Sequence, residues 1–206
     1  LALAARALKS VSLPGREGVI LQDSQLQGVT SATAALLEYI ESNFIQPDLK
    51  VLEAGSGSGI LSIMLKLGNP SWQLSGIEIQ ARLHELAEHN AASFNAEVRF
   101  MCADLCNYDA GDVFDLVVSN PPWQKTGNGL LSPNMERAIC RSEVMCNMHQ
   151  VLAFCQRNLK ACKDAVLLYP SSRATELHSE AAKLNMVAVH QLTIDKSTSI
   201  FHLQKG

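Results

Sequence analysis

The sequence predicts a doubly wound α/β domain, a mostly parallel sheet with helices on both faces. Three observations predict it. Short apolar runs alternate with helical stretches along most of the chain. The first run of the main domain, Lys50-Val51-Leu52-Glu53-Ala54, ends in a glycine-rich turn. The fourth, Phe114 to Ser119, is continuously apolar apart from Asp115, as suits a strand in the middle of a parallel sheet.

The elements follow in order. Thr30 to Phe44 reads as a helix ended by Pro47, which makes residues 1–47 a helical N-terminal extension ahead of a domain over 48–206. After the first strand, Ile60 to Leu67 is an apolar helix closed by Gly68-Asn69-Pro70. Trp72 to Ile79 is the second strand. Ala81 to Phe94 is an amphipathic helix with Leu83, Leu86, Ala87 and Asn90 on one side. Val98 to Cys102 is the third strand and Phe114 to Ser119 the fourth. A polar loop, Gln124 to Pro133, precedes a long helix from about Glu143 to Leu159. Ala165 to Tyr169 is a fifth strand, and Ser171 to Leu184 a helix with Ser171 or Ser172 as N-cap. Met186 to Ile194 and Ser199 to Leu203 are two final strands joined at Asp195-Lys196-Ser197.

Composition narrows the class. The 206 residues suffice for one full-sized core, and 47% hydrophobic with 18% charged residues is ordinary for a soluble globular chain. No apolar run reaches the roughly 20 residues that span a bilayer, and the start lacks a leader pattern, so a cytoplasmic location without membrane association is expected. The chain does not begin with Met, and upstream residues are expected. The net charge of -3 excludes a uniformly basic nucleic-acid binder but not an enzyme with a local basic patch. Lys125, Arg137, Arg141, Arg173 and Lys196 are candidates for such a rim, against the default of scattered solvated cations. The six cysteines form no Cys-x-x-Cys pair and no His stands at zinc spacing beside them, so reduced, mostly buried thiols and no metal site are expected. His84 and His89 read as surface residues, and His149, His178, His190 and His202 show no partner pattern.

The turn Glu53-Ala54-Gly55-Ser56-Gly57-Ser58-Gly59-Ile60 lies between a strand and a helix, where glycines let a ligand approach the backbone. Its spacing is Gly-x-Gly-x-Gly, not the Gly-x-Gly-x-x-Gly of a nicotinamide site, and no Gly-Lys-Ser/Thr follows. Glu78 ends the second strand, where a carboxylate can accept from both hydroxyls of a ribose. Asp104 follows the third strand and is placed either to accept from an adenine amino group or to cap a helix.

The most specific feature is Ser119-Asn120-Pro121-Pro122-Trp123, directly after the fourth strand. Two prolines stiffen the backbone and remove two N–H donors. The Asn120 side-chain oxygen and the Pro121 carbonyl are then two acceptors for the two hydrogens of a planar –NH2 group. Trp123 would stack on a flat substrate, or else belong to the core.

With these residues in hand, the chain resembles the class I S-adenosylmethionine-dependent methyltransferases over nearly its full length. The resemblance implies a Rossmann-like, mostly parallel seven-stranded sheet with an antiparallel C-terminal strand. It implies S-adenosyl-L-methionine as cofactor, with Gly55, Ser56, Gly57 and Gly59 at its methionine end. Glu78 and Ile79 would lie at the ribose, and Ala103, Asp104 and Leu105 around the adenine. Glu53 would order the loop and approach the cofactor amino group. Asn120, Pro121, Pro122 and Trp123 match the (Asn/Asp/Ser)-Pro-Pro-(Tyr/Phe/Trp) signature of enzymes that methylate exocyclic base amines or glutamine amides; Asn120 would also touch the cofactor.

The stretch after the motif, with Arg141 and Glu143, is similar to that of bacterial tRNA adenine-N6 methyltransferases in the methyltransferase small domain family. That implies an RNA partner, a tRNA, and adenine N6 as acceptor. Where those relatives carry an Asp ahead of the first strand, Val29 to Leu37 holds no acid, and Thr30 or Thr33 would stand in. The alternative is a release-factor glutamine methyltransferase with a protein partner. A third reading is a catalytically silent cofactor-binding scaffold. Oligomeric state is left open.

Overall fold

The computed structural model describes residues 8–13, 15, 17–24, 30–111, 113–121, 123 and 146–206. Two antiparallel strands, β1 (Leu8–Ser12) and β2 (Val19–Asp23), precede helix α1 (Ser31–Asn43). Then come β3 (Lys50–Ala54), α2 (Ile60–Gly68), β4 (Gln73–Glu78), α3 (Ala81–Ser93), β5 (Val98–Cys102) and β6 (Phe114–Ser119). Helix α4 (Met148–Asn158) runs directly into β7 (Leu159–Pro170). A 3-10 turn (Ser171–Arg173) leads into α5 (Ala174–Lys183), and β8 (Met186–Thr193) and β9 (Thr198–Lys205) close the chain.

Seven strands make one sheet in the order β5-β4-β3-β6-β7-β9-β8. The pairs from β5 through β7 are parallel, and β9 lies antiparallel between β7 and β8. Side chains alternate between two cores, as a pleated strand dictates. Val51, Leu116, Val118, Val166 and Leu168 face the cluster under α1 and α2. Leu52, Val117, Ala165, Leu167 and Tyr169 face the cluster under α4 and α5. Both faces being covered is the physical reason the central strands read as unbroken apolar runs. The strand order reverses between β3 and β6, which opens a crevice at their carboxyl ends.

Several expectations are corrected. The extension read as helical carries the β1–β2 strand pair as well as α1. Neither Ser171 nor Ser172 caps α5; its N-cap is Arg173, with no side-chain cap bond, because the serines belong to the 3-10 turn. β7 starts well before Ala165: Cys162, at φ 57, sits where the register with β6 shifts, so residues 160–164 belong to a bulged strand. The thiols are less buried than expected, since Cys102 and Cys162 are exposed and only Cys146 and Cys155 of the five described are buried. The histidines do find partners. The Tyr39 hydroxyl lies 3.2 Å from His190 Nδ1 and 3.0 Å from His202 Nδ1, and His202 Nε2 lies 3.0 Å from Asp164. Helix α4 begins at Met148 behind an Asn147–Gln150 capping box. The loop 124–133, the start of the long helix at 143, and Lys125, Arg137, Cys140, Arg141 and Glu143 lie outside the described residues.

Candidate active site

Strand register builds the site. Ala54 pairs with Ile77 on one side and Ser119 on the other, and Glu78 pairs with Cys102. The residues that follow, Gly55, Ile79, Ala103 and Asn120, therefore emerge side by side at one edge of the sheet. Ser119 Oγ donates to Ala54 O (2.7 Å), a buried bond that ties the root of the Asn-Pro-Pro segment to the root of the glycine turn. Gly55 and Ser56 both donate to Ile77 O (2.9 Å).

One cleft runs along this edge. Glu53, Gly55, Ser56, Gly57, Glu78, Ile79, Ala103, Asp104, Leu105, Asn120 and Pro121 all line it. Gly55 (φ 72) and Gly57 (φ 54) hold left-handed conformations, and a Cβ on either would meet nothing within 4 Å, so the turn presents bare backbone to open space. Gly59 differs. It does not line the cleft; it is the N-cap of α2 at φ 82, and a Cβ there would stand 2.8 Å from the Phe100 ring and 3.0 Å from Ala87 Cβ. Its left-handed backbone packs against Phe100 and Ala87 rather than facing the cleft.

The acids are held by the fold itself. Glu78 Oε2 accepts from Gly57 N (2.9 Å) and Oε1 from Gln80 N (3.0 Å). Burial raises its pKa against the opposing pull of these bonds. Glu53 is buried (4% exposed) and accepts from both Ser62 N and Ser62 Oγ. Desolvation pushes its carboxyl up to about 8, with the Ser62 bonds opposing and the neighbouring Glu78 adding a smaller upward push. Asp104 lines the cleft and also caps its own turn, accepting from Cys106 N (2.9 Å) and Asn107 Nδ2 (3.0 Å). The capping alternative is met in a turn rather than a helix.

Beside the glycine turn, in the segment after β6, Trp123 Nε1 donates to Asn120 Oδ1 (3.3 Å). The Trp123 ring packs against the core cluster under α4 and α5 and does not line the cleft. Pro122 lies outside the described residues. Arg173, read as a rim cation, is buried at 8% exposure.

Sequence reading missed several cleft residues. Gln22 comes from β2, a strand that no apolar alternation marks. Cys146 and Val151 come from the α4 region. Of the two threonines weighed as stand-ins for an acid, Thr33 lines the cleft, while Thr30 is the N-cap of α1 and accepts from Thr33 N (3.3 Å). Among the described residues no His, Cys, Asp and Glu group is arranged to hold a metal ion, and no helix is long and apolar enough to cross a membrane.

The methyltransferase small domain model matches residues 25–144, more than half of the chain. The chain belongs to the methyltransferase small domain family. It is 40% identical over 90 residues to a release factor glutamine methyltransferase of Bacillus anthracis, covering 43% of this chain and 32% of that protein. It is 29% identical over 143 residues to a tRNA1(Val) (adenine(37)-N6)-methyltransferase of Aeromonas hydrophila, covering 68% of this chain and 59% of that protein. The matched region thus spans about a third of the first relative and under two thirds of the second. In structure, a T. thermophilus 16S rRNA N2 methyltransferase solved with AdoMet and guanosine superposes with a TM-score of 0.71 at 15% identity, covering 97% of this chain and 50% of that one. That likeness shows the Rossmann-like methyltransferase fold, including the antiparallel strand β9.

Proposed function

We propose that this chain transfers a methyl group from S-adenosyl-L-methionine to a planar exocyclic amine, adenine N6 of a tRNA. The observation that carries the reading is a single one: Asn120 and Pro121 line the same cleft as the glycine turn and Glu78. An acceptor motif and a cofactor cradle share one enclosure.

The residues present fit the cofactor. Gly55 and Gly57 leave open space where side chains would stand, and Ser56 Oγ is buried with no hydrogen-bond partner among the described residues. Glu78, with both oxygens anchored, keeps lone pairs for ribose hydroxyls. Asp104, Ala103 and Leu105 would hold the adenine, and Glu53 with Thr33 and Gln22 would surround the methionine end. Bound S-adenosylmethionine supplies an electrophilic methyl on a sulfonium. The chain's own part is to bind and aim. Asn120 Oδ1, which has a second lone pair beside the Trp123 bond, and the Pro121 carbonyl accept the two amine hydrogens and point the nitrogen lone pair along the line of displacement. The proton leaves after the methyl arrives, so no strong base is required.

The tRNA acceptor is favoured over glutamine by extent: the tRNA enzyme matches over 143 residues and the release factor enzyme over 90. Work on tRNA would place the protein in the cytoplasm. The test is tritium-methyl transfer with bulk tRNA, ribosomal RNA and release factor side by side, followed by nucleoside mass spectrometry. N6-methyladenosine in tRNA is expected. Label confined to the release factor overturns the acceptor assignment, and no transfer at all despite cofactor binding favours a silent scaffold.

A further inference from the structure

Arg173 is a buried cation far in sequence from the acceptor motif. It sits on the 3-10 turn at the end of β7. Its Nε and Nη2 donate to the two carboxylate oxygens of Glu176 (3.1 and 2.9 Å). Its Nη1 donates to the main-chain oxygen of Trp123 (3.1 Å). Its guanidinium carbon lies 5.6 Å from the centre of the Tyr169 ring. Trp123 in turn donates its indole N–H to Asn120 Oδ1.

These contacts form one relay from the rigid end of β7 to the acceptor amide. Burial and a bidentate carboxylate partner remove Arg173 from the set of residues that meet a nucleic-acid phosphate. Charge compensation explains the Glu176 bonds, one turn away on the same segment, but not the third bond, which reaches a carbonyl 50 residues earlier in the chain. Only a planar fork with five donors serves the carboxylate and the carbonyl together; an ammonium is a single point charge on a flexible stem.

We propose that Arg173 is a positioning residue for methyl transfer. It fixes the Trp123 main chain, the indole N–H then holds Asn120 Oδ1, and that bond sets which way round the Asn120 amide faces the incoming amine. The proposal rests on the reading of Asn120 as the amine acceptor, but its structural half stands apart from any particular substrate.

The test uses Arg173→Lys and Arg173→Met in protein labelled with fluorotryptophan. The chain has two tryptophans, Trp72 and Trp123, and Trp72 is buried elsewhere, donating to Gln46 O. Fluorine NMR should show the Trp123 resonance shifted or broadened in both variants with Trp72 unmoved. Affinity for S-adenosylhomocysteine should stay within about twofold. Transfer should fall about 10- to 100-fold in kcat with KM changed less than about threefold, more for Met than for Lys. An unmoved Trp123 resonance with unchanged kcat overturns the proposal. So does joint movement of both tryptophans with loss of cofactor affinity, which would mark Arg173 as a general support of the fold. If the wild-type protein methylates none of the substrates offered, the resonance and affinity arms still decide the positioning role, while the acceptor reading fails separately.

Discussion

The two ends of the cleft are built by different means. The proposed cofactor end uses β3, β4 and β5, which are consecutive in the chain and adjacent in the sheet, and its key groups are held by backbone: Gly57 N on Glu78, Ile77 O on the turn, Cys106 N on Asp104. The acceptor end hangs on side chains from distant segments. Ser119 reaches Ala54, and Arg173 reaches Trp123. One end is fixed by local sequence, the other by long-range contacts that form only once the sheet is complete. Damage to the acceptor end should therefore cost chemistry, and damage to the turn should cost binding or stability.

The sharpest way to break this contrast is Asn120→Ala. It should lower methyl transfer by about 100-fold or more, since a positioned hydrogen-bonding group at the reacting centre is lost. Affinity for S-adenosylhomocysteine, read by calorimetric titration, should change little; an equal loss of both would erase the distinction between the two ends. Next in size is a pair of glycine variants. Both Gly55→Ala and Gly59→Ala place a side chain at left-handed φ, at about 1–2 kcal/mol. Gly59→Ala adds a clash with Phe100 and Ala87 and should lose about 1–3 kcal/mol more in urea unfolding. Gly55→Ala should unfold more nearly as the wild type but bind cofactor about tenfold more weakly. If the two variants swapped these signatures, the assignment of Gly59 to packing would fall.

The smallest effect concerns Glu53, whose folded pKa of about 8 stands above its ordinary value near 4.5. Between those values the unfolded chain releases a proton that the folded chain keeps. The stabilisation from this group is present in full below about pH 4.5 and declines as pH rises to about 8. Thermal midpoints of ligand-free protein should fall across that window less steeply in Glu53→Gln than in the wild type. Parallel curves would mean that Glu53 is solvated after all.

The sequence carried the sheet and the glycine-turn side of the cleft because their signals are short. A strand of five residues, a turn of glycines and an acid at the next strand's end all lie between Lys50 and Glu78. Lys50–Ala54, Val98–Cys102 and Phe114–Ser119 are strands with the bounds their apolar runs marked. At Gly59, spacing marks a left-handed residue but not what presses on it. β1 and β2 went unseen because Val19–Asp23 shows no clean alternation, and its buried Gln22 and Asp23 find their environment in α3 and the cleft. Arg173 and the Tyr39–His190–His202–Asp164 group were opaque for a deeper reason. Each is defined by partners tens to more than a hundred residues away, and no periodicity encodes that.

Asn90 carries a last consequence. From the middle of α3, its amide accepts from Leu21 N, donates to Leu21 O, and donates also to Ser58 O in the glycine turn. A single side chain thus rivets the leading hairpin to the loop beneath it, with the partly buried Asp23–Arg82 ion pair alongside. The hairpin is then masonry rather than trim. Trimming the polypeptide back to residue 48 would leave the cleft without the wall that Gln22 and Thr33 supply, and Asn90 would lose both of its bonds to Leu21.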